Sequence, residues 1–125
     1  MATQFFTVEE ANTLLSVIRP LMDDLMAHRA IVVDSRHNMV EFLSIPYSDI
    51  GGPAASKLVR EFIVIENLVN KIRSHGCVIR DLNRGLVDFP ANREGREVFL
   101  CWRHGEPQVE FYHELHTGFM GRQHI

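Results

Sequence analysis

Four histidines, His104, His113, His116 and His124, cluster near the end of this 125-residue chain, with Glu110 and Glu114 among them. Imidazole and carboxylate together are the usual ligands of zinc, iron, nickel or manganese. The candidate set for a divalent transition metal is therefore His113, His116 and Glu114, with Asp81 from an earlier segment. Strand geometry limits the idea, because side chains three apart on one strand face opposite sides. His113 and His116 can share an ion only if the chain turns between them, and Thr117-Gly118 offers such a turn. The competing reading makes His113 a hydrogen-bonded core histidine that ends an inward face Val109-Phe111-His113, with His116 and His124 in solvent. Glu110-x-x-His113 also matches half of a di-iron helical-bundle motif, but such sites need helices and a second copy, which this sequence lacks.

Asp81 and Asp88 flank a second candidate. A three-residue loop Asn83-Arg84-Gly85 places Leu82 opposite Leu86, hence Arg80 opposite Asp88 as a cross-strand ion pair. Asp81 then falls on the apolar side with Ile79, Val87 and Phe89, where a carboxylate must find donors. It reads either as a tuned acid or base, or as a carboxylate that pins the loop through backbone or arginine hydrogen bonds. A His113–Asp81 hydrogen bond is the expected pairing, with Asp88 as a further ligand candidate.

Gly118-Phe119-Met120-Gly121-Arg122 offers backbone donors and one cation, so Gly121 and Arg122 form a candidate anion-binding turn. Its plainer reading is a C-terminal segment anchored by Phe119. No nucleotide-binding glycine motif is present. Cys101 lies in the apolar run Phe99-Leu100-Cys101-Trp102 and reads as inert rather than nucleophilic. His28, inside a helical seam, reads as a polar residue that sets register.

The elements that must position these groups divide at Gly76. Before it the period is helical. Thr7 and Glu10 make a capping box, with Phe6 and Ala11 flanking it as a hydrophobic staple. Ala11, Leu14, Ile18, Leu21, Leu25, His28 and Val32 follow at steps of three and four, a seam in which Pro20 should kink or restart the helix. The pattern fades over residues 34–43, and residues 44–52 carry the break. Pro53 suits the first turn of a second helix and Gly76 its end. Between them Leu58, Phe62, Ile65, Val69 and Ile72 form a second seam, expected against Leu14, Ile18, Leu21 and Leu25. Val59 and Ile63 widen that stripe.

After Gly76 the period becomes two. Residues 77–82, 86–90, 97–102 and 108–113 read as four short antiparallel strands, with residues 91–96 as a polar turn. The expected architecture is α+β. An antiparallel helical hairpin with a coiled-coil-like seam packs on a meander of about four strands, and the second helix covers one face. One domain spans 1–125: a helical half over about 7–76, a β half over about 77–114, and a tail over 115–125.

A formal net charge of −3 recruits neither nucleic acid nor an anionic membrane surface. Lys57 and Lys71 are the two lysines against a majority of arginines, which favours local paired contacts over a diffuse basic face. The amino-terminal residues lack the pattern of a secretory signal, and the apolar runs are too short to cross a bilayer. Two cysteines without a C-x-x-C pair suit reduced thiols, so a cytoplasmic protein is expected.

Four stretches carry a family resemblance: Phe6-Thr7-Val8-Glu9-Glu10-Ala11-Asn12; the long run from Arg80-Asp81-Leu82 to Asp88-Phe89-Pro90; Leu100-Cys101-Trp102-Arg103 with Gly105-Glu106; and Tyr112-His113-Glu114 with Gly118-Phe119-Met120-Gly121-Arg122. Together they resemble the bacterial domain-of-unknown-function family 2203, nearly end to end. The resemblance implies one intact domain and brings no activity or established cofactor. His104 stands where the family pattern more typically has leucine, and His116 where it has an acid, so neither is a family-wide ligand in its own right. Two functional classes follow. The favoured one is a non-catalytic interaction or assembly module, self-associating as a dimer through leftover apolar helix surface. The alternative is a small metal-dependent, hydrolase-like enzyme built around His113.

Overall fold

The computed structural model describes residues 4–43 and 53–125. It contains helix α1 (Val8–Leu43) and helix α2 (Pro53–Arg73), followed by strands β1 (Val78–Asp81), β2 (Leu86–Arg93), β3 (Arg96–Arg103) and β4 (Phe111–Glu114). A short 3-10 turn (Phe119–Gly121) leads into β5 (Gln123–His124). The five strands form one antiparallel sheet in sequence order. The expected α+β arrangement of contacting helices and an antiparallel sheet is thus present, and the break over residues 44–52 lies outside the described residues.

The capping box forms as the sequence dictates. The Thr7 N–H donates to Glu10 Oε1 at 2.9 Å, and the Glu10 N–H donates to Thr7 Oγ1 at 3.0 Å. α1 runs continuously through Pro20. Pro20 and Ser16 are both exposed, so the carbonyl that proline leaves without a donor is open to water. Gly76 closes the turn after α2 and lies beside Gln4 and Phe6, which places the end of α2 next to the start of α1. Further along, His28 meets Glu61. The two helices are therefore antiparallel.

The seam differs from the expected one. Among the described side chains of α1, Ala11, Leu15, Ile18, Met22 and Leu25 are buried, while Leu14 and Leu21 are only half-buried. α1 serves two surfaces at once, and its buried stripe shares one core with the sheet residues and Ile72 of α2. On α2, Leu58, Glu61, Ile65, Leu68 and Ile72 turn inward. Phe62, expected in the core, is 53 % exposed. The reason is His28: a histidine in the seam needs a polar partner, and Glu61 turns in to supply it, which rotates its neighbour Phe62 out.

The sheet cover is also reassigned. Phe6, the α1 stripe and Ile72 join Val87, Phe89, Ala91, Val98, Leu100, Trp102, Val109 and Tyr112 in one core. α1, not the outer stripe of α2, is the main cover. Polar ties fix it: Asn12 Nδ2 donates to the Val109 carbonyl while its Oδ1 accepts the Val109 N–H at 2.7 Å. Arg19 donates to the carbonyls of Glu106 and Pro107.

Strand limits differ from the expected ones. β2 continues through the expected polar turn to Arg93 and returns at Glu94-Gly95. Both turn residues have positive φ, 53° and 82°, as a type I′ hairpin requires. The tail supplies a fifth strand: Phe111 pairs with His124 and Tyr112 with Gln123.

Candidate functional site

Strand alternation gives the sheet two unlike faces. One carries Val87, Phe89, Leu100, Trp102 and Tyr112 into the core. The other, away from the helices, carries Asp88 from β2, Phe99 and Cys101 from β3, and Phe111 and His113 from β4. The register sets Asp88 opposite Cys101 and Phe99 opposite His113. Asp88 and His113 are the two buried polar residues of the described chain, 0 % and 2 % exposed.

His113 has two contacts. Its Nδ1 lies 2.8 Å from the Glu114 carbonyl oxygen, and its Nε2 lies 3.0 Å from Asp88 Oδ2. The same Asp88 oxygen accepts a hydrogen bond from Arg80 Nε at 2.9 Å. Asp88 Oδ1 has no hydrogen-bond partner among the described residues. The Cys101 sulfur completes the group: with a carboxylate oxygen of Asp88 and a ring nitrogen of His113, the donor atoms all lie within 4.8 Å of one another. Burial, with the Asp88 charge second, pushes the Cys101 thiol up to about 12, so it is protonated and not a nucleophile.

The expected partners of His113 go elsewhere. Asp81 does not reach it. The loop is four residues long rather than three, so Asp81 pairs with Leu86. Asp81 Oδ1 accepts the N–H groups of Asn83 and Arg84, the loop-pinning role among its two readings. A bulge between Ile79 and Asp81 restores Arg80 to the side of Asp88, so their expected ion pair forms despite the altered register. Glu114, next to His113 on the strand, points to the opposite face and takes Arg96 at 2.7 Å. Hydrogen bonding from Arg96 holds the Glu114 carboxyl below its usual range. His116 is exposed.

The candidate anion turn is likewise occupied. Arg122 bonds Glu106 Oε1 at 2.5 Å and lies over the rings of Phe111 and Phe119 at 4.1 and 4.9 Å. Its charge is neutralised in place. Gly121 donates its N–H to the Gly118 carbonyl, closing the turn rather than facing a ligand. His104 ties the end of β3 to α1 through Asp23 at 2.6 Å.

Of two surface depressions, only the smaller borders the site. The larger, about 700 Å³, lies between the start of α1 and the end of α2 beside Glu10, Thr13 and His75, far from the buried cluster. The smaller, about 420 Å³, is lined by Val78, Arg80, Pro90 and Phe99. Arg80 therefore stands between this groove and Asp88, with its guanidinium 4.8 Å from the Phe99 ring centre.

A separate surface feature lies on α2. Val59, Phe62 and Ile63 are 58 %, 53 % and 51 % exposed and share one helix face by their spacing of three and four. Among the described residues, no helix is long and apolar enough to cross a membrane.

What sequence reasoning missed at the site is the trio itself, above all Cys101. The signal was the Glu94-Gly95 turn: a two-residue hairpin centred there places Asp88 directly opposite Cys101. The family model described as "Uncharacterized conserved protein (DUF2203)" matches residues 4–125, in agreement with the resemblance of the sequence motifs. Searches of curated proteins and of solved structures found no match.

Proposed function

The chain belongs to the DUF2203 family, and we propose that this protein is a non-catalytic assembly module that pairs with a second copy of itself through α2. The observation that carries the reading is the outward stripe Val59, Phe62 and Ile63, each more than half exposed. The inner stripe of α2 already meets α1, and the outer one is open among the described residues. A contiguous apolar patch with an aromatic centre is what a helix-mediated interface presents.

Charge placement favours a copy of this chain as the occupant. Arg60 precedes Phe62 at the rim of the stripe, and Glu66 follows it on the same face. A two-fold axis passing near Phe62 pairs α2 with its copy antiparallel. Arg60 of each helix then lies near Glu66 of the other. Such self-complementarity is the condition for a closed two-fold contact.

The alternative, a hydrolase-like metal enzyme around His113, loses support because Asp81, Glu114 and His116 are not gathered there. Sedimentation equilibrium at micromolar protein tests the favoured reading. Twice the 14.4 kDa chain mass is the expected result. A single-chain mass throughout the range overturns it.

A further inference from the structure

The buried trio Asp88, Cys101 and His113 poses a hydrogen-bonding problem that points beyond self-association. The Glu114 carbonyl can only accept, so the His113 Nδ1 that faces it carries the proton and donates. In a neutral ring Nε2 is then a lone pair, and it faces Asp88 Oδ2, which in a carboxylate also only accepts. Two acceptors confront each other across 3.0 Å. A purely proton-based solution needs an extra buried proton, either on the ring or on the Asp88 carboxyl, beside the Arg80 guanidinium that already bonds the same oxygen. Asp88 Oδ1 still has no partner in hydrogen-bond geometry among the described residues. Each unpartnered buried polar atom of this kind calls for a missing donor, water or ion.

We propose that Asp88, Cys101 and His113 bind a divalent transition ion of the zinc class. The ion accepts the Nε2 lone pair of His113, an oxygen of Asp88 and the sulfur of Cys101. On binding, the thiol proton leaves to solvent, and the carboxylate and thiolate charges balance the two charges of the ion. Nitrogen, oxygen and sulfur together are the donor set of zinc, cobalt and nickel rather than of magnesium or calcium. A tetrahedral ion with bonds of about 2.0–2.3 Å wants donors roughly 3.3–3.8 Å apart. The donors here all lie within 4.8 Å, so modest side-chain closure suffices.

The surroundings suit a ligand site as well. A metal-bound histidine characteristically gives its other ring N–H to a carbonyl or carboxylate, and His113 gives Nδ1–H to the Glu114 carbonyl. Arg80 holds the second function of the Asp88 carboxylate, fixing its orientation. The three ligands come from β2, β3 and β4 in succession, so the ion staples three strands. Its role is structural: the fourth position is left for water, and no reaction is assigned to it. This site is independent of pairing through α2.

Cobalt serves as the probe because its spectrum reports the donors. One equivalent of Co²⁺ added to chelator-treated full-length protein should give sulfur-to-cobalt charge-transfer absorption and visible bands of tetrahedral cobalt. Zinc should abolish both. Cys101→Ser should lose the charge-transfer absorption while keeping the far-ultraviolet dichroism of the fold. Zinc should raise the melting temperature of the unmodified protein and not that of Asp88→Asn. Absence of the charge-transfer absorption from the unmodified protein overturns the proposal. So does charge-transfer absorption that persists in Cys101→Ser, since the sulfur is then that of Cys77.

Discussion

His28 of α1 and Glu61 of α2 meet side chain to side chain across the helical hairpin, forming a polar layer in an otherwise apolar seam. That pairing fixes the rotation of α2. With Glu61 turned inward, Phe62 must face out, and with it Val59 and Ile63. The apolar outer stripe thus goes with one half-buried polar pair in the seam.

The first prediction compares two phenylalanines. At protein concentrations low enough to keep the chain monomeric, Phe62→Ala should change unfolding stability by no more than about 0.5 kcal/mol. Phe89, fully buried under α1, should cost about 3–5 kcal/mol on the same substitution. Denaturant midpoints of the two variants decide it. Comparable losses would return Phe62 to the core.

Asp88 and Asp81 should separate equally clearly. Asp88→Ala leaves Arg80 without its acceptor and the buried His113 Nε2 facing a gap, and should destabilise by about 2–3 kcal/mol. Asp81→Ala removes two exposed loop hydrogen bonds and should cost only about 1 kcal/mol. Chemical denaturation of both variants checks the order, and a reversed order contradicts the placement of Asp88 at the buried site.

Gly85 combines a left-handed backbone with a close approach of another residue's Cβ. Its φ is +67°, and an added Cβ would stand 2.7 Å from the His104 Cβ. His104 cannot simply withdraw, since its N–H donates to the Gly85 carbonyl at 2.9 Å. Gly85→Ala should therefore lower stability by about 1–3 kcal/mol, whereas Gly105→Ala, with open space around it, should cost only the strain of its own φ. Equal melting temperatures for Gly85→Ala and the parent would refute the close approach.

Burial raises the Cys77 thiol from 9.0 to about 11. An acid whose folded pKa is raised contributes stability that is complete below its unfolded value and disappears as pH climbs through the folded one. Stability should accordingly decline between pH 9 and pH 11. Cys77→Val should flatten part of that decline, as read from urea midpoints across the range. An unchanged slope would show that the thiol does not titrate differently on folding.

Much of the architecture was legible because local chemistry dictated it. The Thr7–Glu10 capping box, the Gly76 stop and the switch of period after it all lie in adjacent residues. The rotation of α2 was not legible, because it depends on Glu61 answering a histidine 33 residues earlier. The β1–β2 register was hidden by a bulge at Arg80, which no local pattern announces. At the site, His113 stood out by type, and Arg80–Asp88 by loop geometry. Cys101 was read as inert because an apolar run surrounds it. Only the Glu94-Gly95 turn, taken as a two-residue hairpin, brings it opposite Asp88.

Phe62→Glu tests the outward face of α2 as the pairing surface most directly. Light scattering during gel filtration should give a dimer for the parent chain. The variant, with unchanged helical dichroism, should give the mass of one chain, because a charge at the two-fold centre faces its own copy. A folded variant that still elutes as a dimer would contradict the assignment of α2 as the pairing surface.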